Sequence, residues 1–285
     1  MKVHHLSCAT LCPPLAKAWL NRSGKMVCHC LLIETAEGLV LVDTGFGLQD
    51  VINPDRSTDA ATRFLIGIHL QREETAVEQL RRLGFQPSDV RHILPTHMDF
   101  DHLGGLADFP DAQVHILATE LDAAEARATF IERRRYRPAQ WAHGPRWVRH
   151  QPAGEPWFGF ACVRGVAGLP EDILIVPLHG HTRGHAGIAV RGPGGWLLHC
   201  GDAYFHESEV HGESRGGSAV GDPQRGGAVA PFVLNQYQRA LALDDVARRH
   251  NQERLRALQA QHGAEIQIFC AHDPEEFARA VGRCA

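Results

Sequence analysis

The chain has 285 residues, 44% of them apolar, and a formal charge of -4 at pH 7, enough to bury a full core in one α/β domain over residues 1–285. Lys and Arg are spread thinly apart from Arg133, Arg134, Arg135 and Arg137; this excludes a nucleic-acid footprint and makes the arginine cluster a solvated helix end. No apolar run approaches the roughly 20 residues of a membrane span, and Met1-Lys2-Val3-His4-His5 leads into no signal-peptide core, so the expectation is a cytoplasmic protein with no membrane partner.

In chain order, residues 2–6, 26–34 and 39–42 read as strands. The third ends in Asp43-Thr44-Gly45-Phe46-Gly47, an acidic turn that either caps itself or supports a metal site. Residues 59–70 and 75–83 show helical spacing, with Gly84 placed as a C-terminal cap. The eight cysteines do not suggest a disulfide framework in a chain with an adequate core. Cys8, Cys12, Cys28 and Cys30 are the one tempting zinc group, but alternation sends Cys28 and Cys30 to one face of a strand, as buried thiols.

A strand over 89–94 then enters Pro95-Thr96-His97-Met98-Asp99-Phe100-Asp101-His102-Leu103-Gly104-Gly105. His97, Asp99, Asp101 and His102 bring four metal-binding side chains onto one stiff turn. A dinuclear centre needs such crowding, because its ions lie only about 3.5 to 4 Å apart. A short helix over 103–109, a strand over 114–117 and one or two helices over 119–135 come after it. Residues 138–170 read as loop and short strands. Strands over 173–178, 186–190 and 196–200 come next, then a strong helix over 243–261 that starts at Asp244-Asp245 and stops at Gly263. The chain closes with a strand over 266–270, the turn Ala271-His272-Asp273-Pro274 and a helix to 281. Three more ligand-rich strand ends stand out: Gly180-His181-Thr182-Arg183-Gly184-His185, Cys200-Gly201-Asp202 and Ala271-His272-Asp273. Each is weak alone; together with the first they point to convergence at one sheet edge.

These five motifs, in this order and spacing, resemble the metallo-β-lactamase-fold hydrolases, and within them the N-acyl homoserine lactone lactonase-like branch. The resemblance implies a four-layer αββα sandwich of two related halves with two divalent metal ions, zinc or alternatively Mn or Fe, at one sheet edge. Carried over by position, it places His97, Asp99 and His181 on the first ion, Asp101, His102 and His272 on the second, and Asp202 between them. The chain departs from the family at Asp99, where histidine is usual; the harder oxygen donor favours Mn or Fe. It departs again where the lactonases carry a carbonyl-contacting tyrosine three residues after the bridging aspartate: Phe205 stands there and Tyr204 is the candidate phenol. His185 is expected either to hydrogen-bond a ligand or to serve the turn.

Two cations lower the pKa of a bridging water and polarise a carbonyl, so the expected chemistry is opening of an ester-type bond, with Asp101 orienting the water or taking its proton. A small lactone is the leading substrate. Another hydrolase of the same fold, acting on thioesters, aryl esters or phosphoesters, and a non-catalytic metal-binding or redox-sensing protein are the alternatives. Trp141, Trp147, Trp157, Phe158, Tyr204, Phe205 and His206, on segments 46–70, 135–160 and 202–232 or beside them, are read as apolar surface for an acyl or aromatic group, or equally for a homodimer contact.

Overall fold

A computed structural model describes residues 1–14, 24–151, 154, 156–160, 164–166, 168–210 and 229–284. Its strands are β1 (Lys2–Leu11), β2 (Met26–Thr35), β3 (Gly38–Val42), β4 (Ile68–His69), β5 (Val90–Leu94), β6 (Gln113–Leu117), β7 (Arg146–His150), β8 (Arg164–Gly165), β9 (Ile173–Pro177), β10 (Ala186–Gly192), β11 (Gly195–His199) and β12 (Ile266–Phe269). Its α-helices are α1 (Leu48–Ile52), α2 (Ala60–Ile66), α3 (Ala76–Arg82), α4 (Phe100–Leu103), α5 (Ala118–Ala126), α6 (Phe130–Arg135), α7 (Val229–Leu241), α8 (Asp245–His262) and α9 (Pro274–Cys284).

Seven strands form one sheet in the order β4-β1-β2-β3-β5-β6-β7 and five form a second in the order β12-β11-β10-β9-β8. Strands β1, β2 and β3 pair antiparallel, whereas β3, β5, β6 and β7 run parallel. The reason lies in the connections. A tight turn at Gly38 joins β2 to β3, but each parallel neighbour after that needs a helical crossover.

Alternation along the strands sends one face of each sheet inward. Leu31, Ile33, Val40, Val42, Leu94 and Leu117 from the first sheet meet Ile173, Ile175, Ile188, Val190 and Phe269 from the second in one buried cluster. The outer face of the first sheet packs Cys30, Leu32, Leu41 and Ile93 against Ala76, Val77 and Leu80 of α3 and Leu121 and Ala124 of α5. The outer face of the second packs Val176, Leu198 and Ile268 against Leu255 and Leu258 of α8. Helix, sheet, sheet, helix is the four-layer sandwich expected from the sequence.

Several boundaries differ, for local reasons. The helix expected over 59–70 ends at Ile66, because Gly67 takes a left-handed φ of 65° against the Cys12 carbonyl. The chain is thereby turned so that Thr10 pairs with His69. Helix α4 begins at Phe100 and tightens into a 3-10 turn over Gly104–Asp108. A Cβ on Gly104 would stand 2.9 Å from the Gly45 carbonyl oxygen and the Phe46 Cα, so the small residue lets this turn sit against the Asp43 turn. Helix α7 begins inside the stretch expected to be loop; residues 211–228 of that loop lie outside the described residues.

Polar groups also enter the space between the sheets. On three neighbouring parallel strands His92 Nδ1 lies 2.9 Å from His115 Nε2, and His115 Nδ1 lies 3.0 Å from His150 Nε2. His115 is fully buried, and desolvation followed by its two histidine neighbours brings its pKa down to about 3. Among the described residues no helix is long and apolar enough to cross a membrane.

Candidate metal centre

Strand β5 ends at Leu94, and Thr96 fixes the turn beyond it. Its backbone N–H and hydroxyl donate to Asp43 at 2.7 and 2.9 Å. Asp43 adopts φ 56°, a left-handed conformation that aspartate tolerates better than most residues. This posture aims its Oδ2 at His102 Nδ1, 2.9 Å away. His97 Nδ1 lies 3.0 Å from the Thr96 hydroxyl, and His272 Nδ1 donates to the Val27 carbonyl at 2.8 Å. In His97, His102 and His272 the Nδ1 proton is thus engaged and the Nε2 lone pair is left facing inward, as a metal-binding imidazole requires.

Those lone pairs meet the carboxylates in two groups. Donor atoms of His97, Asp99, His181 and Asp202 all lie within 4.8 Å of one another, and so do those of His102, Asp202 and His272. Asp202 belongs to both: Oδ2 is 3.3 Å from His181 Nε2 and from His272 Nε2, while Oδ1 is 3.2 Å from His102 Nε2 and 3.1 Å from His272 Nε2. Asp101 flanks the second group, 4.0 Å from His102 Nε2 and 3.7 Å from His272 Nε2. All seven residues singled out in the sequence as ligands are therefore brought to one edge of the sandwich.

The arrangement is unsatisfied as it stands. His97 Nε2, His102 Nε2 and Asp202 Oδ1 are buried without a hydrogen-bond partner, and each such atom costs roughly 1 to 3 kcal/mol. Burial opposes the charge on Asp202, yet the surrounding histidines 272, 102 and 181 hold its carboxyl well below the usual range. Burial likewise opposes charging His102, but Asp202, Asp43 and Asp101 hold its pKa well above that of a free imidazole. A cavity whose anions and lone pairs converge in this way fits divalent cations.

His185 serves the site rather than only its turn. Its Nδ1 donates to Leu178 O at 2.9 Å, and its Nε2 accepts the backbone N–H of Asp202 at 2.9 Å. Tyr204 does not serve it. Its hydroxyl donates to Glu276 at 3.0 Å inside the outer core of the second sheet, and in the turns and bends that follow Asp202 it is residue 205 that faces the centre. Phe205 sets its ring edge-on to His181 and His272, at centroid distances of 5.9 and 5.1 Å. The catalytic assignment of Tyr204 is withdrawn.

One further correction concerns a residue read as surface. Arg135, expected on a solvated helix end, is only 6% exposed, with Nε 3.2 Å from Asp99 Oδ1. Cys28 is indeed a buried free thiol, but its sulfur lies within 4.8 Å of donor atoms of both Asp101 and His272. Glu120 of α5 was not anticipated at all. It accepts the Met98 N–H at 3.0 Å and the Gly184 N–H at 2.8 Å, clasping the two ligand-bearing turns.

Beside the centre opens a cavity of about 390 Å³ bounded by Asp99, Asp101, Asp202 and His272 on one side and by Leu65, Phe130, Leu234 and Tyr237 among others. Of the seven aromatic and imidazole groups expected to supply this surface, Phe205 alone does so. Trp141 and Trp147 pack on the outer core of the first sheet, and Trp157 and Phe158 on that of the second.

The chain belongs to the metallo-beta-lactamase superfamily, whose family model matches residues 23–266. It is a metallo-hydrolase of that fold, similar to a probable metallo-hydrolase of Mycobacterium tuberculosis, 42% identical over 276 residues that make up 96% of this chain and 81% of that one. An N-acyl homoserine lactonase of Bacillus cereus is 33% identical over 103 residues, 36% of this chain and 41% of that one. In fold the chain is similar to an N-acyl homoserine lactone hydrolase solved with its product N-hexanoyl-L-homoserine at the catalytic metal centre. The TM-score is 0.67 at 19% identity, covering 98% of this chain and 95% of that one.

Proposed function

We propose that the protein is a two-metal hydrolase that opens an ester-type carbonyl, with a small lactone such as an N-acyl homoserine lactone as substrate. The observation that carries this reading is Asp202, whose carboxylate stands between the two histidine groups, with Oδ2 3.3 Å from both His181 Nε2 and His272 Nε2 and Oδ1 3.2 Å from His102 Nε2. When bound, two divalent cations, zinc by preference for so imidazole-rich a set, supply an ionised water at neutral pH and polarise the carbonyl.

The chain's own residues do the rest. His97 and His181 with Asp99 would hold the first ion, His102 and His272 with Asp101 would hold the second, and Asp202 lies within reach of both groups. Asp101 is placed to orient the attacking water and take its proton: its carboxyl is pushed up by burial, against the pull of His102 and His272. Phe205 walls off the histidines on the cavity side, and the apolar residues of α2, α6 and α7 receive the acyl portion. Five buried free cysteines, Cys8, Cys28, Cys30, Cys200 and Cys270, suit work in a reducing cytoplasm.

The test is a substrate panel on protein reconstituted with Zn, Mn or Fe: acyl homoserine lactones, simple lactones, thioesters, p-nitrophenyl esters and phosphoesters. Metal-dependent turnover that is fastest on lactones supports the reading. Turnover confined to thioesters or phosphoesters replaces the substrate class, and binding of fewer than two ions per chain overturns the two-metal centre.

A further inference from the structure

Asp99 stands where a neutral histidine is usual for this fold, and it adds a negative charge to a buried site that already holds Asp101 and Asp202. The structure places a cation directly behind it. Arg135 Nε lies 3.2 Å from Asp99 Oδ1, while Oδ2 faces the opposite way, 3.0 Å from His181 Nε2 and 3.3 Å from His97 Nε2. The two oxygens thus divide their partners, Oδ1 meeting the guanidinium and Oδ2 the donors of the first ion.

The remaining guanidinium nitrogens are also used. Arg135 donates to the carbonyl of His181 at 2.8 Å and to that of Leu241 at 3.1 Å. The cation is therefore fixed by the turn that carries one ligand and by the end of α7, and it does not swing to solvent. A planar fork with several donors can do this; an ammonium cannot make all three contacts in such geometry.

We infer that Arg135 is the positioning residue that allows aspartate at position 99, with the Asp99–Arg135 pair acting as one neutral, single-oxygen donor to the first ion. The inference rests on the two-metal reading above. Its consequence is metal choice. A free carboxylate would harden the first position toward Mn, but a carboxylate whose charge is already met by a guanidinium leaves His97 and His181 to set the preference, which is zinc. It also predicts that the histidine usual for the fold does not work here by itself. Asp99→His would leave the buried guanidinium without its anion, and an unpaired buried charge is strongly unfavourable.

Zinc stoichiometry by elemental analysis and zinc affinity by chelator competition decide the matter on five proteins: the parent, Arg135→Met, Arg135→Lys, Asp99→His and the double variant Arg135→Met with Asp99→His. The parent binds two ions. Arg135→Met and Asp99→His each weaken one of the two sites at least tenfold, and the double variant returns that site to within about threefold of the parent. Arg135→Lys keeps the charge and loses the fork, so it retains the first ion better than Arg135→Met does. A merely structural Arg135, needed only to tie the carbonyls of His181 and Leu241, would not be rescued by a change at Asp99. A double variant no better than Arg135→Met overturns the inference, as does an Arg135→Met protein with unchanged affinity for both ions. A parent that binds no metal overturns both the inference and the two-metal reading, whereas a parent with two ions and no rescue overturns the inference alone.

Discussion

At the scale of single residues, the ligands were legible because their chemistry is written into strand ends: a histidine or aspartate after an apolar run, next to a glycine, is held on a short backbone. The residues that orient them come from elsewhere in the chain. Arg135 and Glu120 sit on helices, and only the packed fold brings them to Asp99, Met98 and Gly184. For Tyr204 the reading failed by one position, since residues 201–206 run through turns and bends whose side-chain directions follow no fixed period. Tyr204→Phe should accordingly lower stability by roughly 1 to 3 kcal/mol, the cost of leaving Glu276 short of a buried donor, with kcat/KM unchanged; a large loss of kcat in a variant of normal stability would restore Tyr204 to the site. Among the ligands, His102→Ala and His272→Ala should each empty one site preferentially, whereas Asp202→Ala should deplete both. Equal occupancy patterns in Asp202→Ala and His181→Ala would count against a bridging role. Tyr237, which borders the cavity, is where a phenol approaches the substrate space. Tyr237→Phe is expected to reduce kcat/KM several-fold on a lactone, read by steady-state kinetics.

At the scale of elements, alternation and glycine placement made nine of the strands readable in outline, but not β7, inside the stretch read as loop and short strands, nor the short β4 and β8, whose pairing depends on partners distant in sequence. Helix α7 was not anticipated, since its first residues fall in the segment 202–232, yet it supplies Leu234 and Tyr237 to the cavity. Helix α5 looks ordinary in sequence and carries the clasp between the two ligand turns. Glu120 is fully buried, and a Cβ added to Gly184 would stand 2.3 Å from the Glu120 backbone nitrogen, so the turn and the helix have no slack between them. Glu120→Gln retains one acceptor and loses the other, at a cost of roughly 1 to 3 kcal/mol in urea unfolding. Because both turns loosen together, metal affinity should fall about tenfold, the lower range for partners that orient ligands. Unchanged chelator resistance in that variant would show that the turns hold themselves.

At the scale of the whole molecule, the ligand set is divided: residues 97 to 102 follow a strand of the first sheet, and residues 181, 202 and 272 follow strands of the second. Metal removal should therefore weaken the contact between the sheets as well as silence the enzyme. With free zinc at a thousandfold excess over Kd, binding contributes about 4 kcal/mol to stability, so a chelator should lower Tm and zinc should restore it, by differential scanning fluorimetry. Behind the ligand-bearing turn, where Asp50 packs against Gly104, burial lifts Asp50 to about 6 despite the Gly47 N–H and Arg56 beside it. A carboxyl raised in the folded state favours folding below its unfolded value near 3.8 and loses that advantage as pH rises through about 6. Asp50→Asn should then gain stability relative to the parent between pH 4 and pH 8, by about 2 to 3 kcal/mol for a shift of this size. A pH-independent difference would show that the folded chain holds Asp50 as an ordinary carboxylate.

The row of His92, His115 and His150 carries a consequence for proton order. Each neutral imidazole has one N–H, and the two short contacts join Nδ1 of one ring to Nε2 of the next. If His92 donates from Nδ1, His115 must accept at Nε2 and donate from Nδ1 to His150; if His150 donates from Nε2, His115 must do the same toward His92. The middle ring cannot choose its tautomer independently of its neighbours, so three strands share a single binary variable. Long-range proton–nitrogen correlation spectra should show one tautomer at His115 in the parent. Replacing His92 or His150 by an obligate acceptor or donor should set which one it is, from the neighbouring strand.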